Sequence, residues 1–150
     1  MSNDAHKRFM LRAIELARKA EGKTFPNPMV GAVLVKNGKI LSEGYHRKAG
    51  TPHAEVVALK KIKGQIKGAD LYVNLEPCAH YGRTPPCVHS IIKSGIKKVY
   101  VAMKDPNKLV NGKGLATLRK NGIKVKTGIC RKIAKELNEV YIKSINSGAQ

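Results

Sequence analysis

Apolar and polar positions alternate along this chain with two distinct periods, and the switches between them mark its elements. Residues 5–21 carry Phe9, Ala13, Leu16 and Ala20 on one helical face, with Asp4 as N-cap and Gly22 beyond the end. The prolines of TFPNP, residues 24–28, forbid a continuing helix and predict an ordered loop. Residues 30–36 form a β-rich run, Asn37-Gly38 suits a tight hairpin turn, and residues 39–45 predict the returning strand. A second helix is expected from Pro52 to about Lys63, with Thr51 as N-cap and proline in its first turn. Residues 71–75 read as a buried strand. The third helix is expected to open with Thr84 as N-cap and Pro85 and Pro86 in its first turn, and to close at Gly95. Strands over 99–103 and 123–127, a short helix over 115–120 and a final helix from Arg131 to about Ser144 complete the pattern.

A hairpin followed by alternating strands and helices predicts an α/β fold, a three-layer helix–sheet–helix sandwich on a mixed five-stranded sheet. Neither repeats nor a linker-like stretch interrupt the 150 residues, so one domain over 1–150 is expected. No apolar run approaches the roughly 20 residues that cross a bilayer. The N-terminus shows no secretory pattern, and three cysteines suit a disulfide framework poorly, so a cytoplasmic location and no membrane partner are expected. Cys130, Met10, Met29 and Met103 read as packing residues.

Charge adds less than its size suggests. The net charge is +19, from 29 basic and 10 acidic residues. Nucleic-acid binding, steering of a phosphorylated substrate and a lysine bias spread over a solvated surface all accommodate it. The lysines are scattered through nearly every segment, with few aromatics between them, so no nucleic-acid partner is expected.

Two clusters carry the candidate chemistry. Pro52-His53-Ala54-Glu55 opens the second helix; Glu76-Pro77-Cys78 closes a strand, and Cys87 follows in the first turn of the third helix. One imidazole and two thiolates are good zinc ligands, and three protein ligands leave a fourth position for water, the catalytic pattern. The expected set is His53, Cys78 and Cys87 on one Zn2+ per chain. The helix start is expected to favour the Cys87 thiolate. Zinc lowers the pKa of bound water from about 15.7 to about 7, and Glu55, two positions from His53, suits the general acid–base role. Taken singly, each is an ordinary helix-start histidine, core thiol or solvated glutamate. Their conjunction points to zinc deaminases, where H-x-E opening a helix and P-C closing a strand occur together.

At these residues the chain resembles the cytidine-deaminase superfamily, and within it the deaminase domain of the bifunctional riboflavin-biosynthesis deaminase/reductase. The matching stretches are TFPNPMVG at 24–31, GYH at 44–46, GTPHAE at 50–55, LEPCAHYGRTPPC at 75–87, DPN at 105–107 and Leu137-Asn138. Most of that superfamily spaces its cysteines C-x-x-C, whereas residues 79–86 intervene here, which favours the riboflavin branch over a tRNA or nucleobase deaminase. The resemblance implies hydrolytic removal of the 2-amino group of 2,5-diamino-6-(5-phosphoribosylamino)pyrimidin-4-one. It further implies that Asn27, His46, His80 and Arg83 line the substrate pocket, with Asp105 and Asn107 as further candidates. A homo-oligomer is also implied. The bifunctional proteins continue into a reductase domain; with no Gly-rich fingerprint after a strand here, no NADPH binding and a separate reductase polypeptide are expected.

Overall fold

A computed structural model describes residues 2–63, 66–79 and 86–147. In chain order the elements are α1 (Asn3–Arg18), β1 (Gly31–Lys36), β2 (Lys39–Tyr45), α2 (Ala54–Lys60), β3 (Asp70–Val73), α3 (Cys87–Ser94), β4 (Lys98–Val101), α4 (Lys113–Lys120), β5 (Lys124–Thr127), α5 (Arg131–Leu137) and α6 (Glu139–Asn146). The strands form one sheet in the order β2-β1-β3-β4-β5. β1 pairs antiparallel with β2 and β3, whereas β3, β4 and β5 run parallel. The mixed five-stranded α/β architecture is the expected one.

Each strand sends alternate side chains to opposite faces. Ala32, Leu34, Leu71, Val73, Val99 and Val101 meet Ala54, Ala58, Val88, Ile91, Leu115 and Leu118 on the face covered by α2, α3 and α4. Val33, Val35, Tyr72 and Tyr100 meet Phe9, Met10, Ala13, Ala134 and Leu137 on the face covered by α1 and α5. Covered on both sides, the first five residues of β1 are all buried, which is why that strand reads as a continuous apolar run.

Two close approaches fix the helices against the hairpin. A Cβ at Gly31 would lie 1.9 Å from the Ala13 carbonyl oxygen, so α1 presses directly on β1. A Cβ at Gly44 would lie 2.6 Å from the Ala54 oxygen and 2.7 Å from the Ala58 nitrogen, so α2 presses on β2. Ser42 reinforces the second contact, its hydroxyl donating to the Ala58 carbonyl at 2.7 Å.

Several boundaries differ from the sequence expectation, each for a local reason. Ser2, not Asp4, caps α1, its hydroxyl accepting from the Ala5 amide at 3.2 Å. Thr51 does not cap α2: its hydroxyl donates to the Lys48 carbonyl at 2.7 Å and closes a turn there, so the helix starts later, with His53 at the N-cap. The N-cap of α3 is Pro86; Thr84 and Pro85 lie outside the described residues. Lys113 and Gly114, expected in a loop, form the first turn of α4. The final helix is two helices, α5 and α6, broken at Asn138. Cys130 is half-buried at the N-cap of α5 with φ 59°, packed beside the second cluster and not inside it. Met10 and Met103 are buried as expected, and Met29 packs partly buried against the same cluster.

Candidate metal centre

Antiparallel β1 brings Gly31 to the same end of the sheet as Tyr45, Val73 and Val101. That end holds the carboxyl ends of the parallel strands, where α/β sheets collect their chemistry. Two connections meet there: the one from β2 into α2 carries His46 and His53, and the one from β3 into α3 carries Cys78 and ends where α3 opens at Cys87.

His53 Nδ1 lies 3.0 Å from Cys87 Sγ and 4.0 Å from Cys78 Sγ. The three ligand atoms all fall within 4.8 Å of one another. Tetrahedral zinc with Zn–S near 2.3 Å and Zn–N near 2.0 Å sets ligand atoms about 3.5–4 Å apart, so one ion reaches all three with small adjustments. The donor set, two sulfurs and one imidazole nitrogen, fits zinc.

Electrostatics divide the two cysteines unexpectedly. The Cys87 amide, at the start of α3, donates to Cys78 Sγ at 3.3 Å. The Cys87 thiol and His53 also bond to that sulfur, which holds the Cys78 thiol well below the ordinary range. Cys87 is pushed up, first by sharing its proton with Cys78 and then by burial. The helix start therefore favours the Cys78 thiolate, not that of Cys87, because its N–H points across at the other sulfur. His53 is raised, chiefly by its bond to Cys78.

Glu55 is 3% exposed, and its Oε1 has no hydrogen-bond partner among the described residues. Burial pushes its carboxyl up to about 7. A buried carboxylate with an unmet oxygen is costly, and a ligand or solvent molecule beside it would relieve that cost.

Behind His53 stands a second pair. His46 is 2% exposed, and its ring meets that of His53 edge-on at 5.1 Å. The Pro52 carbonyl accepts from His46 Nδ1 at 3.2 Å, which leaves Nε2 to accept from the Asn27 amide at 3.3 Å. Burial lowers the His46 pKa, in keeping with that neutral tautomer. Asp105 and Asn107 reach the same end of the sheet. The Asp105 carboxylate accepts from the Tyr141 hydroxyl at 2.7 Å and the Asn107 amide at 3.0 Å, while Asn107 Oδ1 accepts from the Leu109 amide at 3.0 Å. His80 and Arg83 lie outside the described residues.

The model of the cytidine and deoxycytidylate deaminase zinc-binding region matches residues 3–103. The chain belongs to this deaminase family. It is 56% identical to the riboflavin biosynthesis protein RibD of Aquifex aeolicus over 94% of its own length, but spans only 40% of that relative. It is 47% identical to the diaminohydroxyphosphoribosylamino-pyrimidine deaminase of Buchnera aphidicola, covering 93% of this chain and 95% of that one. Among solved structures, the deaminase/5-amino-6-(5-phosphoribosylamino)uracil reductase of Thermotoga maritima superposes with a TM-score of 0.93 at 44% identity, over 97% of this chain and 42% of that one. The chain thus spans about two fifths of its longer relatives and nearly all of the shorter one.

Three buried polar residues for which the sequence suggests no role build the site without facing it. Asn138 accepts from the Met29 amide at 2.7 Å and donates to the Met29 carbonyl at 2.8 Å. Asn74 donates to that same carbonyl at 3.1 Å and accepts from the Gly31 amide at 2.8 Å. Together they pin Met29 and Gly31, just beyond the loop that presents Asn27. Glu76 is the third. The signal for all three was a polar residue beside an apolar run, Asn74 and Glu76 flanking Leu75 and Asn138 following Leu137.

On the far side of Asn27 opens a cleft of about 320 Å³, flanked by the exposed Phe25 and Val140. Glu21, Glu136 and Glu139 line it, three of the ten acidic residues of a strongly basic chain.

Proposed function

We propose that residues 1–150 form one zinc-dependent deaminase domain acting on 2,5-diamino-6-(5-phosphoribosylamino)pyrimidin-4-one, with 5-amino-6-(5-phosphoribosylamino)uracil and ammonia as products. The observation that carries the reading is the convergence of His53, Cys78 and Cys87 beside a buried Glu55 whose Oε1 lacks a partner. The near full-length likeness to a relative named for that activity supports the substrate.

His53, Cys78 and Cys87 would hold the ion. Zinc, when bound, acidifies water and acts as a Lewis acid. Glu55 holds the proton that water gives up; its carboxyl, pushed up to about 7, is poised both to take that proton and to return it. It delivers that proton to the ring nitrogen as water's oxygen joins the ring carbon, then takes the second proton from that oxygen and passes it to the amine as the carbon–nitrogen bond breaks and the carbonyl forms. Asn27 is turned by His46, which leaves its amide oxygen as the end offered to the heterocycle. Arg83 and His80 are assigned to the phosphoribosyl end, Arg83 by a charge-assisted bond to phosphate. The glutamate-lined cleft beyond Asn27 disfavours phosphate on that side. Asp105 and Asn107 shape the β4–α4 segment beside the pocket. Reduction of the product is a separate step, and the domain works as a homo-oligomer.

The test is Glu55→Gln, assayed by ammonia release with metal content measured in parallel. The expected outcome is about one zinc per chain retained and turnover lowered on the order of 10²–10⁴-fold. Near-native turnover refutes the role of Glu55, and metal-free wild-type chain with full activity refutes the centre.

A further inference from the structure

The strand end that delivers Cys78 is held by a carboxylate that the reaction does not use. Glu76 precedes Cys78 by two residues and is 4% exposed. Its Oε1 accepts from the main-chain N–H of Asp105 at 3.1 Å and of Gly112 at 2.9 Å. Its Oε2 accepts from Gly114 at 3.0 Å and Leu115 at 3.2 Å. These four amides come from the segment that leaves β4 and from the first turn of α4. That helix starts at Gly112 with no side-chain cap, so Glu76 supplies from another element what a local cap would have given.

The neighbouring peptide is wedged as well. The Glu76 amide donates to the Met103 carbonyl at 3.0 Å. A Cβ at Gly114 would lie 2.0 Å from the Pro77 oxygen, so α4 abuts the peptide immediately before Cys78. From the other side, the Val88 amide meets the Cys78 carbonyl at 3.2 Å and the Cys87 amide meets its sulfur at 3.3 Å. Cys78 thus stands between α3 and a block formed by Glu76, Pro77 and the start of α4.

We propose that Glu76 is a positioning residue for the metal centre: by gathering four amides of residues 105–115 it fixes the Pro77 peptide against Gly114 and so sets where Cys78 Sγ stands relative to His53 and Cys87. A carboxylate is required because two oxygens must each accept two N–H groups in a buried place. Glutamine offers one such oxygen and turns its own N–H2 toward amide donors. A simple helix cap would need neither the second oxygen nor the contact between Gly114 and Pro77.

This inference rests on the metal assignment proposed above, and the experiment separates the two. Metal-free chain is titrated with Co2+ alone, following the thiolate-to-cobalt absorption band, for wild type, Glu76→Gln, Gly114→Ala and Met10→Ala. Met10 packs on the opposite face of the sheet and serves as a destabilised control. Wild type is expected to take up one cobalt per chain with a strong thiolate band. Glu76→Gln and Gly114→Ala, which disturb the same block from its two sides, are expected to weaken cobalt binding by roughly 10- to 100-fold and to shift the band. Met10→Ala is expected to melt lower with unchanged band and affinity. Wild-type affinity and spectrum in both block variants overturn the inference and leave the metal assignment standing, as does equal weakening in Met10→Ala. Loss of the whole fold in both block variants also overturns it, because the proposed action is confined to one strand end. A wild-type chain that takes up no cobalt overturns the metal assignment and this inference with it.

Discussion

Replacing Asn138 by alanine removes both hydrogen bonds between its side chain and the Met29 peptide. The Met29 carbonyl keeps its bond from Asn74, but the Met29 amide loses the acceptor it has in Asn138. An orphaned buried N–H costs about 1–3 kcal/mol, and the second lost bond adds about 1. Asn138 is 2% exposed, and the total comes to about 2–4 kcal/mol. For a chain of this length that lowers the melting temperature by roughly 5–15 °C. Asn138→Asp separates the two bonds. The new carboxyl keeps an acceptor for the Met29 amide but, once ionised, sets an oxygen against the Met29 carbonyl. Burial and that oxygen raise its folded pKa above the ordinary value of about 3.9, because the protonated form can donate to the carbonyl. A folded value above the unfolded one means that the stabilisation is fully present below about pH 4 and is lost as pH rises through the folded value. Thermal unfolding followed by circular dichroism from pH 3 to 8 reads both effects. An Asn138→Ala loss under about 1 kcal/mol refutes the reasoning, as does an Asn138→Asp chain that gains stability over wild type as pH rises.

Two further outcomes follow from packing and charge. Arg12 bonds to both Glu43 oxygens, at 2.6 and 2.9 Å, and holds that carboxyl below the usual range. With the folded value depressed, the contribution is present above the unfolded value of about 4.3 and is lost as pH falls through the folded one. The pair is partly exposed, so Arg12→Ala should cost about 0.5–1 kcal/mol at pH 7 and almost nothing at pH 2; an unchanged gap in melting temperature at the two pH values contradicts this. Gly31→Ala would set a methyl 1.9 Å from the Ala13 carbonyl oxygen, a backbone atom that cannot turn aside. Separating α1 from β1 should cost at least about 1–3 kcal/mol, and an unaltered urea midpoint rules the close approach out.

Local pattern and non-local pairing explain what could be read from the chain in advance. All five strands were legible within a few residues, the central ones because a sheet covered on both faces demands continuous apolar runs, as in 31–35. The turn at Asn37-Gly38 was legible because both residues carry positive φ, 52° and 75°, where these residue types are at ease. The break at Asn138 was not. The apolar spacing of Ala134, Leu137 and Tyr141 runs through it without interruption, and the residue leaves helical geometry to reach Met29, 109 positions away. Thr51 misled for the opposite reason: its sequence position suited a cap, but a carbonyl three residues back was nearer. Of the centre, His53, Glu55, Cys78 and Cys87 were legible because metal chemistry restricts residue type and spacing. The residues that hold it were not, since an isolated Glu76 or Asn74 looks like any polar residue at the end of a strand.

A common logic runs through those supports. The site sits where β3 and β4 end and β1 begins, a place where strand amides and carbonyls run out of ladder partners. Asn74 takes the Gly31 amide, Asn138 the Met29 amide, and Glu76 the amides of residues 105, 112, 114 and 115. Each side chain satisfies main-chain groups at the rim of the sheet and, in doing so, fixes the segment carrying a site residue: Asn27 for the two asparagines, Cys78 for the glutamate. Glu55 is the exception in the set, buried among them with one oxygen unmatched. Where every other buried side-chain N or O atom among the described residues finds a partner, an oxygen left without one marks the place where the molecule expects something else to bind.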